Sequence, residues 1–320
     1  MPPTVVITDS TYPDADLERE VLEAIDAEVI TADAQSPEAV IESARGADAL
    51  LNQETELTRA VFEALDDLQA VARYGVGVDN IDVEAATDHG VSVLNVPSYC
   101  EDEVATHALS LLLALVRNVP SYDQQVKNGG WDWTSGRPIN RLTGKTLGFV
   151  AFGSIPRQLA EKAAGFDLEY IAYDPYQSRS ELADAGVEKV DFEELLERAD
   201  VVSIHAPLTD ETHHLFDESA IGRLEDDALL INVARGPVVD EEALATALRN
   251  GELGGAGLDV MPTEPPESSP LFDLDNAVLT PHVAWYSEES IVDLRTKAAR
   301  ALVKVLQGER PPSTVNDTPT

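Results

Sequence analysis

The chain has 320 residues, of which 43% are hydrophobic, and its 59 acidic against 22 basic residues give a formal net charge of −37 at pH 7. This length allows two domains of ordinary size, and the apolar fraction is that of a folded protein, which excludes general disorder. No apolar run reaches about eighteen residues, so no membrane span is expected. The acidic excess makes nucleic acid and anionic membranes poor direct partners.

A single cysteine, Cys100, excludes an internal disulfide framework, and no Cys/His cluster has metal-ligand spacing, so no metal site is predicted. The N-terminus leads into an apolar strand instead of a signal sequence, which favours a cytoplasmic protein. Acidic residues on the polar faces of regular helices are typical of surfaces suited to high salt. We therefore expect a halophilic protein whose stability and activity fall when salt is removed.

From Val5 to Val93, short apolar runs alternate with helical patterns. This alternation predicts a parallel sheet flanked by helices. Within it, residues 73–82 read RYGVGVDNID, and Gly75 and Gly77 leave backbone N–H groups that could bind a small carboxylate.

The alternative for the same segment is an ordinary strand-to-helix connection. In that case Asp79 or Asn80 would cap a helix that begins at Ile81.

Residues 101–119 predict one long helix, with acidic residues at its start and Arg117 near its end, as the helix dipole favours. An irregular arm at about 119–145 follows and carries Trp131 and Trp133. An aromatic arm of this length is expected either to cover an active site or to contact a second subunit.

Residues 147–174 read as strand, glycine turn, helix and second strand, which is the outline of a dinucleotide-binding βαβ unit. Gly153 lies where backbone would approach a pyrophosphate, and Asp174 follows the second strand, where a carboxylate can accept ribose hydroxyls. The G-x-G-x-x-G pattern is incomplete, because Ala151 and Pro156 stand at two of its glycine positions. An ordinary βαβ crossover that binds nothing is therefore the alternative.

Three residues that could perform chemistry follow predicted strands in the second half of the chain: Arg235, Glu264 and His282. Arg235 could bind the carboxylate and carbonyl of a 2-oxo acid, and His282 could give a proton to the carbonyl oxygen. Glu264 could orient the imidazole and favour its charged form, so that reduction fades as the pH rises. Taken singly, each residue also has an ordinary structural explanation.

The last predicted helix runs from Ser287, its cap, to about Gly308. The final ten residues, PPSTVNDTPT, are polar and expected to be loosely ordered.

Motifs along the chain resemble, in order, those of the D-isomer-specific 2-hydroxyacid dehydrogenases. They are RYGVGVDNID, DEVATHAL, YDPY, HAPLT, INVARG, GLDV and PHVAWYSE, within residues 47–316. The last is similar to the C-terminal-binding-protein branch, in which the tryptophan at the position of Trp285 lines the substrate pocket.

The resemblance implies an α/β protein with two doubly wound parallel-sheet domains. Residues 1–100 with 287–320 would form a flavodoxin-like substrate domain, and residues 101–286 a Rossmann dinucleotide-binding domain. The arm at about 119–145 would form a homodimer contact.

The resemblance also assigns roles. Arg235 would bind substrate, His282 would be the acid/base and Glu264 its partner. The residues implied to contact the cofactor are Val104, Gly153, Ser154, Ile155, Asp174, His205, Pro207, Thr212, Val233, Ala234 and Asp259. Those implied to contact the substrate are Tyr74, Val76, Gly77 and Trp285.

The chain departs from the family pattern at Ala151 and Pro156, which is expected to weaken cofactor binding, and at Thr106, where an acidic residue is more usual. Asp174 would repel a 2′-phosphate, so NAD is the expected cofactor, and NADP is the alternative if Arg179 reaches the ribose.

The segment LLNQET lacks the arginine that a phosphoglycerate dehydrogenase would place near Asn52 or Gln53, and it adds Glu54. A phosphorylated substrate is therefore disfavoured. The main prediction is an NAD-dependent reductase that converts a small 2-oxo acid to the D-2-hydroxy acid. The alternatives are an NADH-sensing, corepressor-like regulator and a phosphoglycerate dehydrogenase.

Overall fold

Strands and helices alternate along the chain in the computed structural model, which describes residues 2–318. The strands are β1 (Thr4–Ile7), β2 (Glu28–Thr31), β3 (Ala49–Asn52), β4 (Ala70–Arg73), β5 (Ser92–Leu94), β6 (Thr146–Val150), β7 (Glu169–Tyr173), β8 (Glu188–Lys189), β9 (Val201–Ile204), β10 (Leu229–Asn232), β11 (Gly255–Leu258) and β12 (Ala277–Leu279). The helices are α1 (Asp16–Leu22), α2 (Pro37–Ser43), α3 (Arg59–Ala64), α4 (Val83–Asp88), α5 (Glu101–Val116), α6 (Val119–Lys127), α7 (Ser154–Ala163), α8 (Arg179–Asp184), α9 (Phe192–Arg198), α10 (Glu218–Ile221), α11 (Glu241–Asn250) and α12 (Glu288–Leu306). Short 3-10 helices occur at Glu23–Ile25, Trp133–Gly136, Ala164–Phe166 and Gly236–Val238.

The chain divides into two units. The first contains the residues up to Tyr99 and those from Ser287 onward, and the second is Cys100–Tyr286. Each unit has one parallel sheet, with the strand order β2-β1-β3-β4-β5 in the first and β12-β11-β10-β9-β6-β7-β8 in the second. The first order is that of flavodoxin-like sheets and the second contains the Rossmann order, so the predicted fold class is confirmed.

In the first unit, the alternation of side chains along each strand produces two cores. On one face of β1, Val6 packs with residues of α2, α3 and α4. On the other face, Val5 and Ile7 pack with α1 and with Leu294 and Leu302 of α12. The helix at the far end of the chain is therefore needed to bury one face of the N-terminal sheet.

Two local predictions in this unit are wrong. Helix α4 begins at Val83, and its cap is Asp82, whose carboxylate accepts a 2.8 Å hydrogen bond from the Ala85 N–H, so neither Asp79 nor Asn80 caps it. Cap preferences do not distinguish neighbouring Asp and Asn residues in such a run.

The C-terminal tail is also more ordered than predicted, because it docks at the edge strand β5. The Val315 N–H donates to the Val93 carbonyl at 2.8 Å. Asn316 is 6% exposed and accepts from the Val93 N–H at 2.8 Å. Its amide nitrogen donates to the Val91 carbonyl at 3.0 Å. The last two residues of the predicted tail lie outside the described residues.

The second unit also buries both faces of its sheet. One face packs against α9, α10 and α11, and the other against α5, α7 and α8. In the middle of the sheet, β6 pairs with both β7 and β9. Strands β7 and β8 are added on one side of β6, and strands β9 to β12 are added on its other side, so the strand order reverses between β6 and β9. Ligands of such sheets bind beside this switch point, at the carboxyl ends of the strands.

The long helix and the irregular arm differ from their predictions. Helix α5 ends at Val116, Asn118 adopts a left-handed conformation with φ of 50°, and α6 then occupies the first part of the predicted arm. The two helix axes differ by 63°. Residues 2–318 contain no single helix long and apolar enough to cross a membrane, although the bent α5–α6 pair passes that test of length and composition.

Candidate active site

The turn after β6 lies where the sequence predicts a dinucleotide-binding loop. Ala151 takes a left-handed conformation with φ of 64°, and its N–H donates to the Tyr173 carbonyl at 2.9 Å. The Phe152 N–H donates to Oδ2 of Asp174 at 2.8 Å. The turn between β6 and α7 is thus tied to the end of β7 at two adjacent residues.

The start of α7 fits a pyrophosphate. A Ser or Asp side chain caps the first turn of each of the helices α8 to α11, whereas the residue before α7 is Gly153, which provides no side-chain cap. A Cβ built on Gly153 would meet no protein atom within 4 Å, so open space lies before the first turn. The N–H groups of Ser154 and Ile155 lack intrahelical acceptors and lie at the positive end of the helix dipole, where an anion is favoured.

The proline at the third glycine position is compatible with this start. Pro156 is the third residue of α7 and is buried. A backbone N–H at that position makes no intrahelical hydrogen bond, so proline removes no bond of the helix.

Asp174 follows β7 as predicted, but its carboxylate is turned inward and only 6% of the residue is exposed. Besides the bond from Phe152, Oδ1 accepts from the N–H groups of Tyr176 at 2.8 Å and Gln177 at 3.2 Å. A carboxylate offers about four acceptor positions, so three of them hold the loop in shape. Contact with a ribose stays a prediction.

Predicted cofactor residues also lie after β9, beside the switch point. Nε2 of His205 is 2.8 Å from the Ser203 hydroxyl, and burial lowers the pKa of His205 to about 3, so this ring is neutral near pH 7. The Thr212 hydroxyl donates to the Pro207 carbonyl at 2.6 Å and closes the loop that follows. A contact of these residues with the cofactor stays a prediction.

The loop after β10 carries Arg235. Asn232, which is 1% exposed, accepts from the Ala234 N–H at 3.0 Å and donates to the Arg235 carbonyl at 2.9 Å. A Cβ on Gly236 would lie 2.1 Å from backbone atoms of Met261, so the loops after β10 and β11 touch through their backbones. Only glycine permits this approach, which brings the segment with Val233, Ala234 and Arg235 beside that of Glu264.

Glu264 and His282 form a direct pair. Nδ1 of His282 lies 2.6 Å from Oε2 of Glu264, and since a carboxylate only accepts, Nδ1 carries the proton. The other oxygen, Oε1, accepts from the Met261 N–H at 2.8 Å. The His282 side chain is 40% exposed and that of Glu264 35%.

The electrostatics join Arg235 to this pair. Burial alone would raise the pKa of Glu264, but the hydrogen bonds from His282 and from the Met261 N–H lower it. The positive charges of His282 and Arg235 lower it further, and the net pKa is below the ordinary value. Arg235 therefore acts on the same carboxylate as His282, and the structure brings the three predicted catalytic residues together.

Asp259 holds the loop that carries His282. It is 1% exposed, and its oxygens accept from the Thr280 hydroxyl at 2.6 Å and from the N–H groups of Val283 and Ala284 at 2.9 and 2.8 Å. The His282 N–H donates to the Asp259 carbonyl at 2.7 Å. Asp259 therefore fixes the loop of His282 through hydrogen bonds. A direct contact between Asp259 and the cofactor stays a prediction.

Sequence reasoning missed His107 and Thr280. The Thr280 hydroxyl gives its proton to Asp259, so it accepts from Nε2 of His107 at 2.9 Å. His107 lies on α5, one turn after the predicted cofactor residue Val104, which is 7% exposed. A lone histidine on an apolar helix carries no sequence signal for such a link.

Trp285, a predicted substrate residue, is fixed beside the acid/base pair, since its Nε1 donates to the His282 carbonyl at 2.9 Å. Of the substrate residues predicted in the first unit, Val76 is 43% exposed and its carbonyl accepts from the Asn95 amide at 2.7 Å. Tyr74 is 3% exposed and its hydroxyl donates to Glu18 at 2.9 Å. Tyr74 could therefore offer a substrate only its backbone.

Across residues 2–318, no group of three or more His, Cys, Asp or Glu side chains could hold a metal ion.

Comparison with known proteins identifies the family of this arrangement. A family profile described as D-isomer specific 2-hydroxyacid dehydrogenase, NAD binding domain, matches residues 109–284. The D-3-phosphoglycerate dehydrogenase of Methanocaldococcus jannaschii is 39% identical over 314 residues, which are 98% of this chain and 59% of that protein. This chain thus spans little more than half of that relative.

Two further relatives are covered almost throughout. The glyoxylate reductase of Korarchaeum cryptofilum is 40% identical over 287 residues, 88% of this chain and 86% of its own length. The crystal structure of the D-lactate dehydrogenase from Aquifex aeolicus, complexed with NAD and lactic acid, has a TM-score of 0.86 at 27% identity and covers 95% of this chain and 96% of its own. The chain belongs to the D-isomer-specific 2-hydroxyacid dehydrogenase family and contains its NAD-binding domain.

Proposed function

We propose that this protein is an NAD-dependent oxidoreductase that reduces a 2-oxo acid to the D-2-hydroxy acid. The observation that carries the proposal is the pair of Glu264 and His282, joined at 2.6 Å beside the charge of Arg235 at the strand ends of an NAD-binding domain. When bound, the reduced nicotinamide cofactor supplies a hydride. The N–H groups at the start of α7 would hold its pyrophosphate, and Asp174 its adenosine ribose.

Each catalytic side chain has a separate task. Arg235 presents a planar guanidinium that would bind the substrate carboxylate and polarise the carbonyl. His282 would give a proton from Nε2 to the carbonyl oxygen, because Nδ1 is engaged with Glu264. Glu264 fixes the ring orientation and, as an anion, stabilises the charged imidazole before transfer. In the reverse direction Nε2 would accept the proton of the hydroxy acid.

The experiment measures NADH oxidation with a panel of 2-oxo acids in concentrated KCl, for the wild-type protein and for His282→Gln. We expect kcat to fall by about 10²- to 10⁴-fold, the usual contribution of a positioned acid/base, while NADH affinity measured by fluorescence changes little. His89→Gln is the matched control, since His89 is an exposed histidine outside the candidate site. Undiminished turnover in His282→Gln would remove the assignment.

The names of the relatives point to two substrate classes. One relative is a glyoxylate reductase and another a D-3-phosphoglycerate dehydrogenase. We favour an unphosphorylated 2-oxo acid, bound in part by the backbone N–H groups of Val76 and Gly77. Phosphoglycerate dehydrogenase activity is the alternative, and activity with a phosphorylated 2-oxo acid exceeding that with glyoxylate would support it.

We also propose a homodimer formed through the arm at about 119–145. Support comes from two tryptophans of this arm, since Trp131 is 89% exposed and Trp133 68% exposed. Exposed aromatic residues are enriched in protein interfaces. Light scattering should give the mass of two chains for the wild-type protein and of one chain after Trp131→Ser and Trp133→Ser. A wild-type mass of one chain contradicts the proposal.

The remaining proposals are finer than the family. The protein would belong to the C-terminal-binding-protein-like branch and would be halophilic and cytoplasmic. It would bind neither nucleic acids nor membranes directly. The first unit would be its substrate domain. The NADH-sensing regulator stays the alternative from another class. A regulator of that kind would bind NADH with high affinity and show no turnover with any 2-oxo acid.

A further inference from the structure

The histidine of the candidate site has a strained backbone. His282 lies in the left-handed region, with φ of 49°, which is costly for a residue with a Cβ. Such a conformation persists only where the surrounding structure holds it. The His282 N–H donates to the carbonyl of Asp259 at 2.7 Å and to that of Thr280 at 3.1 Å. The position of the imidazole therefore depends on how firmly these two residues are themselves held.

The Asp259 carboxylate fixes the residues that follow His282. It is almost fully buried, and besides the N–H groups of Val283 and Ala284 it accepts the Thr280 hydroxyl at 2.6 Å. A buried anion needs hydrogen bonds or an opposite charge. Within residues 2–318 the one basic side chain in ion-pair range of this carboxylate is His107, whose Nε2 lies 3.5 Å from Oδ1. Asp259 is thus held partly from α5.

His107, Thr280 and Asp259 form a hydrogen-bonded chain with a fixed direction. A carboxylate only accepts, so the single proton of the Thr280 hydroxyl is donated to Asp259. The hydroxyl oxygen accepts from Nε2 of His107 at 2.9 Å, so Nε2 carries a proton. A hydroxyl that accepts a hydrogen bond donates a stronger one. Because α5 is a 16-residue helix packed on the sheet, the chain ties the loop of His282 to a rigid element.

We propose that His107 is a positioning residue for proton transfer by His282 and acts through Thr280 and Asp259. The hydrogen bond from His107 holds the Thr280 hydroxyl on Asp259, and Asp259 holds the strained backbone that aims the imidazole. Without this donor the loop relaxes, and Nε2 of His282 is misplaced for the reaction. Small misplacements of a reacting group are costly in rate. This inference rests on the proposed function and adds a residue to it.

The test compares two substitutions of one residue. His107→Leu removes the donor at similar side-chain volume, whereas the amide of His107→Gln can still donate to Thr280. With a 2-oxo acid that the wild-type protein reduces, we expect kcat to fall by about tenfold in His107→Leu, the effect of one lost hydrogen bond. His107→Gln should stay within about threefold of the wild type. NADH affinity measured by fluorescence should change by less than about threefold in both.

A double-mutant cycle tests the route through Thr280. Thr280→Val removes the hydroxyl and should itself lower kcat. In that background His107→Leu should change kcat by less than about twofold, because residues that act in series are not additive. Ser110→Ala is the matched control, since it removes a hydroxyl from an exposed position further along α5 and should leave kcat unchanged.

A second measurement does not need turnover. In the cofactor-free protein labelled with ¹⁵N at histidine, the Nδ1 proton of His282, which lies between Nδ1 and Glu264, should give a downfield NMR signal. The signal is assigned by its loss in His282→Gln. His107→Leu should shift or broaden it, and His107→Gln should retain it. Circular dichroism and thermal melts show whether each variant is folded.

The outcomes separate the two proposals. Wild-type kcat in folded His107→Leu, or an unchanged His282 signal, overturns the positioning role. Equal losses of kcat in His107→Leu and His107→Gln overturn the role of the hydrogen bond, and additive effects in the cycle overturn the route through Thr280. All of these leave the proposed function intact. Absence of wild-type turnover with every 2-oxo acid overturns the proposed function, and this inference with it.

Discussion

At the scale of single residues, the Glu264–His282 pair sets the expected pH behaviour. The pKa of Glu264 is lowered, so the side chain is ionised at every pH above its ordinary value of 4.5. Its stabilising contribution is therefore present above that value and is lost as the pH falls through the lowered pKa. In the range in which an imidazole titrates, Glu264 is a fixed negative charge.

We predict that Glu264→Gln lowers kcat/KM for reduction by about ten- to a hundred-fold, because the charged hydrogen bond to His282 becomes a neutral one. Reduction by the wild-type protein should decline as the pH rises, and in the variant this decline should begin at a lower pH. The measurement is a pH–rate profile for both proteins with saturating NADH. Superimposable profiles would show that Glu264 does not act on the proton donor.

Ala151 gives a second prediction at this scale. Its φ of 64° is costly for a residue with a Cβ, by about 1–2 kcal/mol, whereas glycine adopts it freely. Ala151→Gly should therefore stabilise the protein by up to about 1 kcal/mol, after subtraction of the cost that arises because glycine has a larger chain entropy than alanine in the unfolded state. Thermal unfolding without cofactor checks this, with Ala160→Gly in the middle of α7 as a control that should destabilise. A lower melting temperature for Ala151→Gly would contradict the strain argument.

The sequence allowed Arg235, Glu264 and His282 to be predicted as neighbours because each follows a strand, and parallel strands end at one edge. The same reasoning could not identify His107 or Thr280, whose role depends on how α5 packs on the sheet. It also counted Arg73 as part of a glycine loop, although its Nε donates to the Gln53 carbonyl after the neighbouring strand β3 at 3.1 Å, because residue spacing does not show the reach of a long side chain.

At the scale of elements, the C-terminal tail is the clearest difference from expectation. Its composition is polar, and polar tails are usually loosely ordered. Here the Asn316 side chain bonds the backbone of Val91 and Val93 and the Thr87 hydroxyl at 3.0, 2.8 and 2.9 Å, in addition to the backbone bond between Val315 and Val93. The tail thereby covers the free edge of β5, an edge that would otherwise expose unpaired backbone groups.

We predict that Asn316→Ala destabilises the first unit by about 1–3 kcal/mol, since it leaves buried backbone groups without partners. Urea denaturation measures the loss, and hydrogen exchange should show faster exchange at the Val93 and Val315 amides. Asn250→Ala, at an exposed position on α11, is the matched control and should change stability by less than about 0.5 kcal/mol. Equal losses in the two variants would contradict the docking role of the tail.

At the scale of the whole molecule, the acidic surface and the interior follow different rules. Buried charged side chains in the described residues are held by hydrogen bonds or by an opposite charge. Arg295, for example, is 4% exposed and donates to both oxygens of Glu18 at 2.8 and 2.7 Å. Such a buried pair is little affected by dissolved salt. The surface carries most of the 59 acidic side chains against 22 basic ones, so repulsion between surface charges must lower stability when salt is scarce.

We therefore predict that the melting temperature rises with KCl, by roughly 5 °C or more between about 0.1 and 1 M, and then levels off. The levelling follows because the Debye length falls from about 10 Å to about 3 Å over that range, after which little repulsion is left to screen. If the salt stabilised the protein by being excluded from its surface, the melting temperature would instead continue to rise steadily above 1 M, most strongly in sulfate.

Removal of surface carboxylates tests independently whether charge repulsion causes the salt dependence of the melting temperature. Asp66 and Asp67 are exposed and follow α3. The double substitution Asp66→Asn with Asp67→Asn therefore lowers the negative charge by two without changing a buried residue. The double variant should melt at a higher temperature than the wild-type protein at low KCl, and the two melting curves should converge near 1 M. A difference that stays constant across the KCl series would mean that surface repulsion does not govern the salt response.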